Sequence, residues 1–563
     1  MLVYGDHEER AGPRRLTAEI NARLDAVAAM PAGIGRHAAL VAALIDAGQL
    51  QQGIADHLFA EARKCDRKHP LVEDLGAALL QLGRAVCRSW DSGFTEVGAL
   101  PRFDVGNGAP DEVTIRVPEG FAFYALYPEA YADAARRLDL AAPPRVIGLR
   151  SIGTSLAAVV AAALGAPPPV SVRPFGHPAE REIDIDECLA RELLDGEAHY
   201  VIVDEGPGQS GSSFAAVARW LRERGVSDER VALLPSHAGS PGAAATDERR
   251  RWWRSTQRQV ADHGDRLGEL AGEWAASLVG PLDGPAREIT GGGPWERRKF
   301  LVAANGERFL IKFAGLGAIG EAKLAIARAL HVDRLNAEPV GLVHGFLIER
   351  CCEGAPLARG EKPIGEIARY IGTRARLLPA MRESGASIEL LLTMVRRNLS
   401  LEFGDRFEAA TDRFEPAELE RRVVRVCTDN KLQPHEWLRT PDGRLLKVDA
   451  LDHHRAHDLI GCQDFAWDVA GAIVEFGLSE SEAARLIEAA EEQAFRSVDS
   501  QLLDFYRLAY LAFRVGQARL ASAMVSSGVE QERMDAAGDR YAAELQLLLE
   551  RSKAATRPNS SVG

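Results

Sequence analysis

The chain has 563 residues, 46% of them hydrophobic and 26% charged, with a formal net charge of −13. That length is too great for one core and predicts about three domains. The composition is that of an ordinary soluble protein, and the acidic balance argues against nonspecific nucleic-acid binding. Seven scattered cysteines, with only Cys351 and Cys352 adjacent, lack metal-ligand spacing and predict reduced thiols. No run reaches the roughly 18 apolar residues of a membrane span. Residues 1–9 lack the apolar core of a signal peptide, so the expected location is cytoplasmic.

Residues 1–90 read as a helical N-terminal element, with apolar positions recurring every three or four residues in 16–29, 37–58 and 72–86. It suits a helical cap, a dimerisation element that would make a homodimer, or part of a substrate hood. Residues 91–250 change to short strands alternating with helices. Residues 113–117 alternate like a strand, and 121–126 form a second apolar, aromatic run. A buried strand at 145–149 runs into Arg150, Ser151, Ile152, Gly153, Thr154 and Ser155, then an alanine-rich helix to Leu164. Residues 170–178 form a Pro/Gly-punctuated loop in which Arg173 and His177 suit either a lid or a solvated connection.

The β-branched run at 200–203 suits a buried parallel strand. Asp204 and Glu205 follow at its C-terminal end, where open α/β sheets place ligands. Gly206, Gly208 and Gly211 permit a tight turn. Ser210, Ser212 and Ser213 then lead into a helix at 214–223, whose N-terminus completes an anion site. Acids beside a phosphate cradle need something else to hold, and a sugar phosphate supplies hydroxyls.

This stretch resembles the signature of type I phosphoribosyltransferases, with a loop one residue longer than usual. The resemblance implies an α/β domain, a parallel sheet with flanking helices, acting on phosphoribosyl pyrophosphate with Mg²⁺. Asp204 and Glu205 would be the catalytic pair on the ribose hydroxyls. Gly208, Ser210, Gly211, Ser212 and Ser213 would hold the 5′-phosphate. The earlier loop resembles the family's pyrophosphate loop and implies Arg150, Ser151 and Gly153 as its residues.

Residues 251–285 read as a linker and helix, the linker character beginning at Gly239 and the helix spanning 265–278, with a domain boundary at 281–287. From 286 to 550 the vocabulary is different. Residues 298–303 and 308–313 flank Asn305-Gly306, the strongest short hairpin signal. Lys312 closes the second strand, and Glu321 sits on a helix at 318–330. A glycine-rich turn, 290–294, lies before the first strand. Residues 346–350 form another strand, and 423–426 lead to Asp429. After Pro434, His435 and Glu436, a strand at 445–448 ends in Asp449.

The series resembles the aminoglycoside-phosphotransferase and choline-kinase branch of the protein-kinase-like fold, an α+β domain. It implies ATP binding by Lys312 and Glu321, a catalytic Asp429 that positions the substrate hydroxyl, and magnesium held by Asp449. Glu436 or His435 would replace the usual second metal ligand, Glu436 being preferred. Asp452, His453, His454 and His457 form an unusual cluster. Residues 551–563 read as a disordered tail. The sequence thus predicts phosphoribosyl transfer to a base-like acceptor, or its reverse, beside an ATP-dependent small-molecule kinase-like domain. The alternative is a nucleotide-sensing protein whose kinase-like domain is not catalytic. The expected partners are small molecules, not nucleic acid or membrane.

Overall fold

The computed structural model describes residues 1–5, 8–289, 297–525 and 528–555. Strand β1 (Glu8–Ala11) pairs antiparallel with β2 (Val113–Arg116), and between them run helices α1 (Pro13–Ala29), α2 (Ile34–Glu61) and α3 (Pro70–Asp91). Both α1 and α3 start on proline, whose fixed φ and missing N–H suit a first helical position. The apolar run at 121–126 is not a strand. It divides between helix α4 (Glu119–Phe123) and a turn in which Ala125 takes φ 52°. Helix α5 (Pro128–Arg136) follows.

A five-stranded parallel sheet comes next in the chain. Its strands are β3 (Pro144–Leu149), β4 (Val170–Val172), β7 (His199–Val203), β8 (Val231–Leu234) and β9 (Gln257–Arg258), in the spatial order β4-β3-β7-β8-β9. Between β4 and β7 lie a hairpin, β5 (Phe175–His177) with β6 (Glu180–Glu182), and helix α7 (Glu187–Leu193). Helix α6 (Ile152–Leu164) covers one face, packing with Val146, Val201 and Val203. Helix α8 (Ser212–Arg222) covers the other, packing with Ile147, Leu149 and Ile202. The winding therefore reverses between β3 and β7, the place where doubly wound sheets open a ligand crevice. The stretch from Gly239, read as linker, instead carries α9 (Asp247–Ser255) and the sheet's fifth strand before α10 (Arg266–Val279).

The second sheet is antiparallel, β10 (Arg287–Glu288), β11 (Lys299–Ala304), β12 (Glu307–Phe313), β13 (Pro339–Val343) and β14 (Phe346–Arg350), in the order β10-β11-β12-β14-β13. Asn305 and Gly306 turn the β11–β12 hairpin at φ 53° and 77°, as that dipeptide predicts. The glycine-rich turn at 290–294 lies outside the described residues, but the strands flanking it, β10 and β11, pair. Helix α11 (Ala318–Val332) backs this sheet, and a helical layer including Ile364–Leu377, Ile388–Phe403, Ala466–Glu475 and Ser500–Met524 completes the chain. Of the expected disordered tail, residues 551–555 end the helix Val529–Ala555 and the rest lie outside the described residues.

The boundary at 281–287 marks a change of sheet type, not a break in packing. One hydrophobic core runs from Ala11 through Trp274 to Phe346 and Ile348. The N-terminal peptide is tied to the far end of the molecule. The backbone N–H of Leu2 donates to Asn398 Oδ1 at 2.7 Å, and Asn398 Nδ2 donates to the carbonyls of Leu2 and Ala512. No helix among the described residues is long and apolar enough to cross a membrane.

Asn398→Ala strips partners from these buried backbone groups, so a loss of about 1–3 kcal/mol is expected. Thermal unfolding should register it, together with faster proteolysis near residue 5; an unchanged melting temperature and cleavage pattern would contradict the tie.

Candidate functional sites

The loops after β3 and β7 lie side by side at the switch point. Asp204 and Glu205 end β7, and neither has an ion-pair partner among the described residues; Glu205 Oε2 accepts the Gly120 N–H at 3.1 Å. Burial pushes Asp204 up to about 7. Burial, reinforced by Glu119 and Asp204, pushes Glu205 up to about 8. Gly208 and Gly211 adopt φ 55° and 64°, a left-handed backbone that a side chain resists. The β5–β6 hairpin folds over this loop. Ser210 Oγ donates to the Pro178 carbonyl at 2.8 Å and Ser212 Oγ at 2.7 Å, while Ser213 stands half-buried beside them. Arg249 donates to both Ser210 O and Ala179 O, fastening hairpin to loop. The hydroxyls thus face the hairpin in this form, and a phosphate would have to displace Pro178.

The preceding loop does not offer the cation that its sequence predicts. Arg150 is buried, paired with Asp56 at 3.1 Å and with Asp66, and it donates to Ser171 O. Arg173 joins the same cluster through Asp56. Arg150 is a structural ion, because two acids from the N-terminal helical region reach over the sheet end and consume its charge. Gly153 serves packing: a Cβ there would meet the Val203 carbonyl at 2.7 Å. Ser151 is half-buried at the N-cap of α6.

The second site lies between the antiparallel sheet and the helical layer. Lys312, on β12, reaches Asp449 at 2.5 Å and also Asp452. Lys323 on α11 donates to Asp452 at 2.7 Å, and Arg297 Nε lies 3.3 Å from the same carboxylate. Burial lowers Lys312, but Asp449 and Asp452 outweigh it and hold the ammonium well above its ordinary value. Burial with Arg297 brings Lys323 down to about 7. Asp449 is raised by burial, yet Lys312 and His453 win and hold it well below the carboxylate range.

Glu321 is not part of this site; it pairs with Arg23 on α1 at 2.7 Å. Two residues along a helix turn the side chain by about 200°, so Glu321 and Lys323 cannot share a face. Gly320, Lys323, Ile326, Ala327 and Leu330 form the buried stripe. That stripe is visible in the sequence and would have selected Lys323.

Asp429 lies beneath the cleft with its charge already partnered. It is wholly buried, hydrogen-bonded by Tyr370 and 3.5 Å from Lys447. Asp468 accepts the backbone N–H groups of Asp429 and Asn430, so both shape the loop from beneath. The catalytic-loop pattern of kinases separates its Asp from the metal-binding Asn by five residues. Counting five back from Glu436 reaches Lys431, whose half-buried ammonium pairs with Glu436. Lys431, not an acid, thus stands five residues before Glu436.

Glu436, Asp449 and His453 each place one ligand atom within 4.8 Å of the others. Burial raises Glu436, but Lys447 and Lys431 bring it down to about 2, so two ionised carboxylates face one point. Two carboxylates suit Mg²⁺, which takes oxygen ligands and keeps waters; His453 is the poorer donor. His454 is buried and points elsewhere, and His457 pairs with Glu119 at 3.2 Å, so the histidine cluster is not one metal site. The cavity beside Lys312 has room for about one water, so any larger ligand would have to part Lys312 from its acids.

No family model matches the sequence, and no curated protein sequence matches it. Among solved structures, the chain is similar to a choline kinase from Streptococcus pneumoniae at 16% identity, over 50% of this chain and 100% of that one, with a TM-score of 0.35. It is similar to a Plasmodium vivax ethanolamine kinase at 13% identity, over 48% of this chain and 83% of that one, with a TM-score of 0.32. It is also similar to a spectinomycin phosphotransferase solved with ADP and spectinomycin, at 13% identity over 51% of this chain and 98% of that one, with a TM-score of 0.34.

Two outcomes follow from these geometries. Arg150→Ala leaves the buried Asp66 without its ion-pair partner, while Asp56 keeps Arg173, and should cost about 3–5 kcal/mol of stability, read by chemical denaturation; a well-folded variant with weakened pyrophosphate binding would reverse the structural assignment. The second concerns pH. The folded chain keeps protons on Asp204 and Glu205 up to about 7 and about 8, whereas the unfolded chain releases them near pH 4. The native state thus binds more protons in that window, and stability contributed here falls as pH rises from about 4 to about 8. The double variant Asp204→Asn/Glu205→Gln should flatten the fall by on the order of a few kcal/mol, measured by denaturation at about pH 5 and about pH 8.5.

Proposed function

We propose that the C-terminal cleft binds a magnesium–nucleoside triphosphate, ATP in the simplest case, and transfers its terminal phosphoryl group to a small-molecule hydroxyl. We propose further that the switch-point loops bind phosphoribosyl pyrophosphate and serve phosphoribosyl transfer to a base-like acceptor. One observation carries the reading of the cleft. Lys312 at a strand end converges with Asp449 and Asp452, and Glu436 brings a carboxylate oxygen within 4.8 Å of Asp449.

Phosphoryl transfer asks the protein mainly for positioning and for cations on the phosphates. Lys312 and Lys323, once released from Asp452, supply two such cations. Asp449 and Glu436 are the residues that would hold Mg²⁺, which when bound adds positive charge to the phosphate oxygens. Lys431 lies where kinases place their hydroxyl-orienting Asp and offers a further cation instead of a base. In a loose transition state the acceptor needs little deprotonation before attack, so a missing carboxylate lowers the rate without forbidding the reaction.

Lys431 also favours a second reading, a nucleotide sensor that binds without turnover. Of the two, transfer accounts for both acidic metal positions being kept. At the switch point, the support is the pair of acids with no ion-pair partner among the described residues, above a left-handed glycine loop.

Calorimetry and a turnover assay separate the readings. Wild type should bind Mg–ATP, and Asp449→Asn should lose the magnesium dependence of that binding. Lys431→Ala should keep binding and lower turnover if transfer occurs. Wild-type binding without turnover selects the sensor, and no nucleotide binding removes both. Measured above about pH 8.5, where both acids are ionised, Asp204→Asn with Glu205→Gln should weaken phosphoribosyl pyrophosphate by about 1–3 kcal/mol per lost charge-assisted hydrogen bond; unchanged affinity would remove the acids from the site.

A further inference from the structure

The two sites meet at helix α4. Its Gly120 N–H is the donor to Glu205 Oε2 at 3.1 Å. Two residues on, the Ala122 carbonyl accepts from Arg297 at 3.3 Å, and the Arg297 guanidinium lies 5.3 Å from the Phe123 ring centroid. Arg297 in turn holds Asp452, the acid that binds Lys312. One short helical turn and one arginine therefore separate the ribose-type acids from the phosphate-type lysine.

The approach is close on every side. The Leu316 N–H donates to the Phe121 carbonyl at 2.9 Å. Gly315, only three residues beyond Lys312, sits at φ +118°, where an added Cβ would lie 3.1 Å from the Ala122 carbonyl. Glu119, at the start of α4, pairs with His457 from the acid-and-histidine loop of the cleft. Tyr124 is 49% exposed, so solvent reaches this junction. Its phenol is pushed up by burial, Glu119 and Glu205 and drawn down by Arg297, which places it within the fields of both sites.

We propose that the two sites are halves of one composite site, in which a ribose phosphate held through its hydroxyls by Asp204 and Glu205 is the phosphoryl acceptor of the cleft. This rests on the nucleotide reading of the cleft and supplies the acceptor that reading leaves unnamed. An acceptor hydroxyl oxygen forms a bond to the γ-phosphorus. The bond from that phosphorus to the β–γ bridging oxygen breaks, and the nucleoside diphosphate leaves with its electron pair. The hydroxyl proton passes to the Glu119–His457 pair and then to solvent beside Tyr124. The product is a second phosphate ester on the sugar. Arg297, released from Asp452 when magnesium–nucleotide enters, is free to take the charge of the transferring group.

The test uses the full chain with Mg²⁺, γ-phosphate-labelled ATP and ribose 5-phosphate, with products resolved by mass spectrometry and nucleotide binding followed by calorimetry. Label should appear in a ribose bisphosphate. Glu205→Gln should bind Mg–ATP within about twofold of wild type yet lose label transfer by at least about tenfold, and Asp204→Asn should do the same. Normal Mg–ATP binding by wild type with no labelled sugar overturns the composite site and leaves the nucleotide reading intact. So does equal transfer by wild type and Glu205→Gln. Loss of Mg–ATP binding in wild type overturns the nucleotide reading itself, and the composite site with it.

Discussion

The carboxylate of Asp452 ties three separate segments of the chain together. It receives Lys312 from a central strand, Lys323 from the helix behind the sheet, and Arg297 from the start of β11. Three cations around one buried acid are tolerable only because the other acids of the cleft, Asp449 and Glu349, lie close by. Glu349 is pushed up to about 7, chiefly by burial and also by Asp452 and Asp449 against the pull of Lys312. Through Arg297 the same network reaches α4, and so the cleft is mechanically continuous with the parallel sheet.

That network also explains why the cleft is narrow. Opposite charges in a dry environment attract strongly, and with nothing bound between them the lysines close on the acids. The ion pairs are worth little as net stabilisation, since desolvation offsets attraction. They keep three cations and the acids of the cleft in one place.

A second junction fixes the two sheets to one another from the opposite side. His37 Nε2 on α2 donates to Glu129 on α5 at 2.6 Å, and His344, in the β13–β14 turn, lies 3.1 Å from the same oxygen. All three side chains are fully buried, ringed by Tyr127 and Trp274. A polar cluster of this kind demands a set geometry, because an unpartnered buried carboxylate is expensive. It therefore specifies how the antiparallel sheet docks on the helices, whereas the surrounding apolar core supplies the attraction.

The sequence by itself determined the local elements: the three N-terminal helices from their periodicity, the β11–β12 hairpin from Asn305-Gly306, and the acid-ended strands at Asp204 and Asp449 from apolar runs that stop at a charge. These are decided within a few residues by backbone preference and by which side chains avoid water, so they are legible without the fold. The tertiary structure alone decided who partners whom. Arg150 reads as a phosphate ligand until Asp56 and Asp66 arrive from a helix end nearly a hundred residues away. Glu321 reads as the partner of Lys312 until the helix is rotated into place and Arg23 takes it. Asp429 reads as an exposed acid at a strand end, and only the fold shows Asp468 holding its backbone and Tyr370 and Lys447 enclosing its carboxylate. A charge has no fixed role in sequence, because its partner is chosen by distance in space and by burial, and both exist only once distant segments have packed.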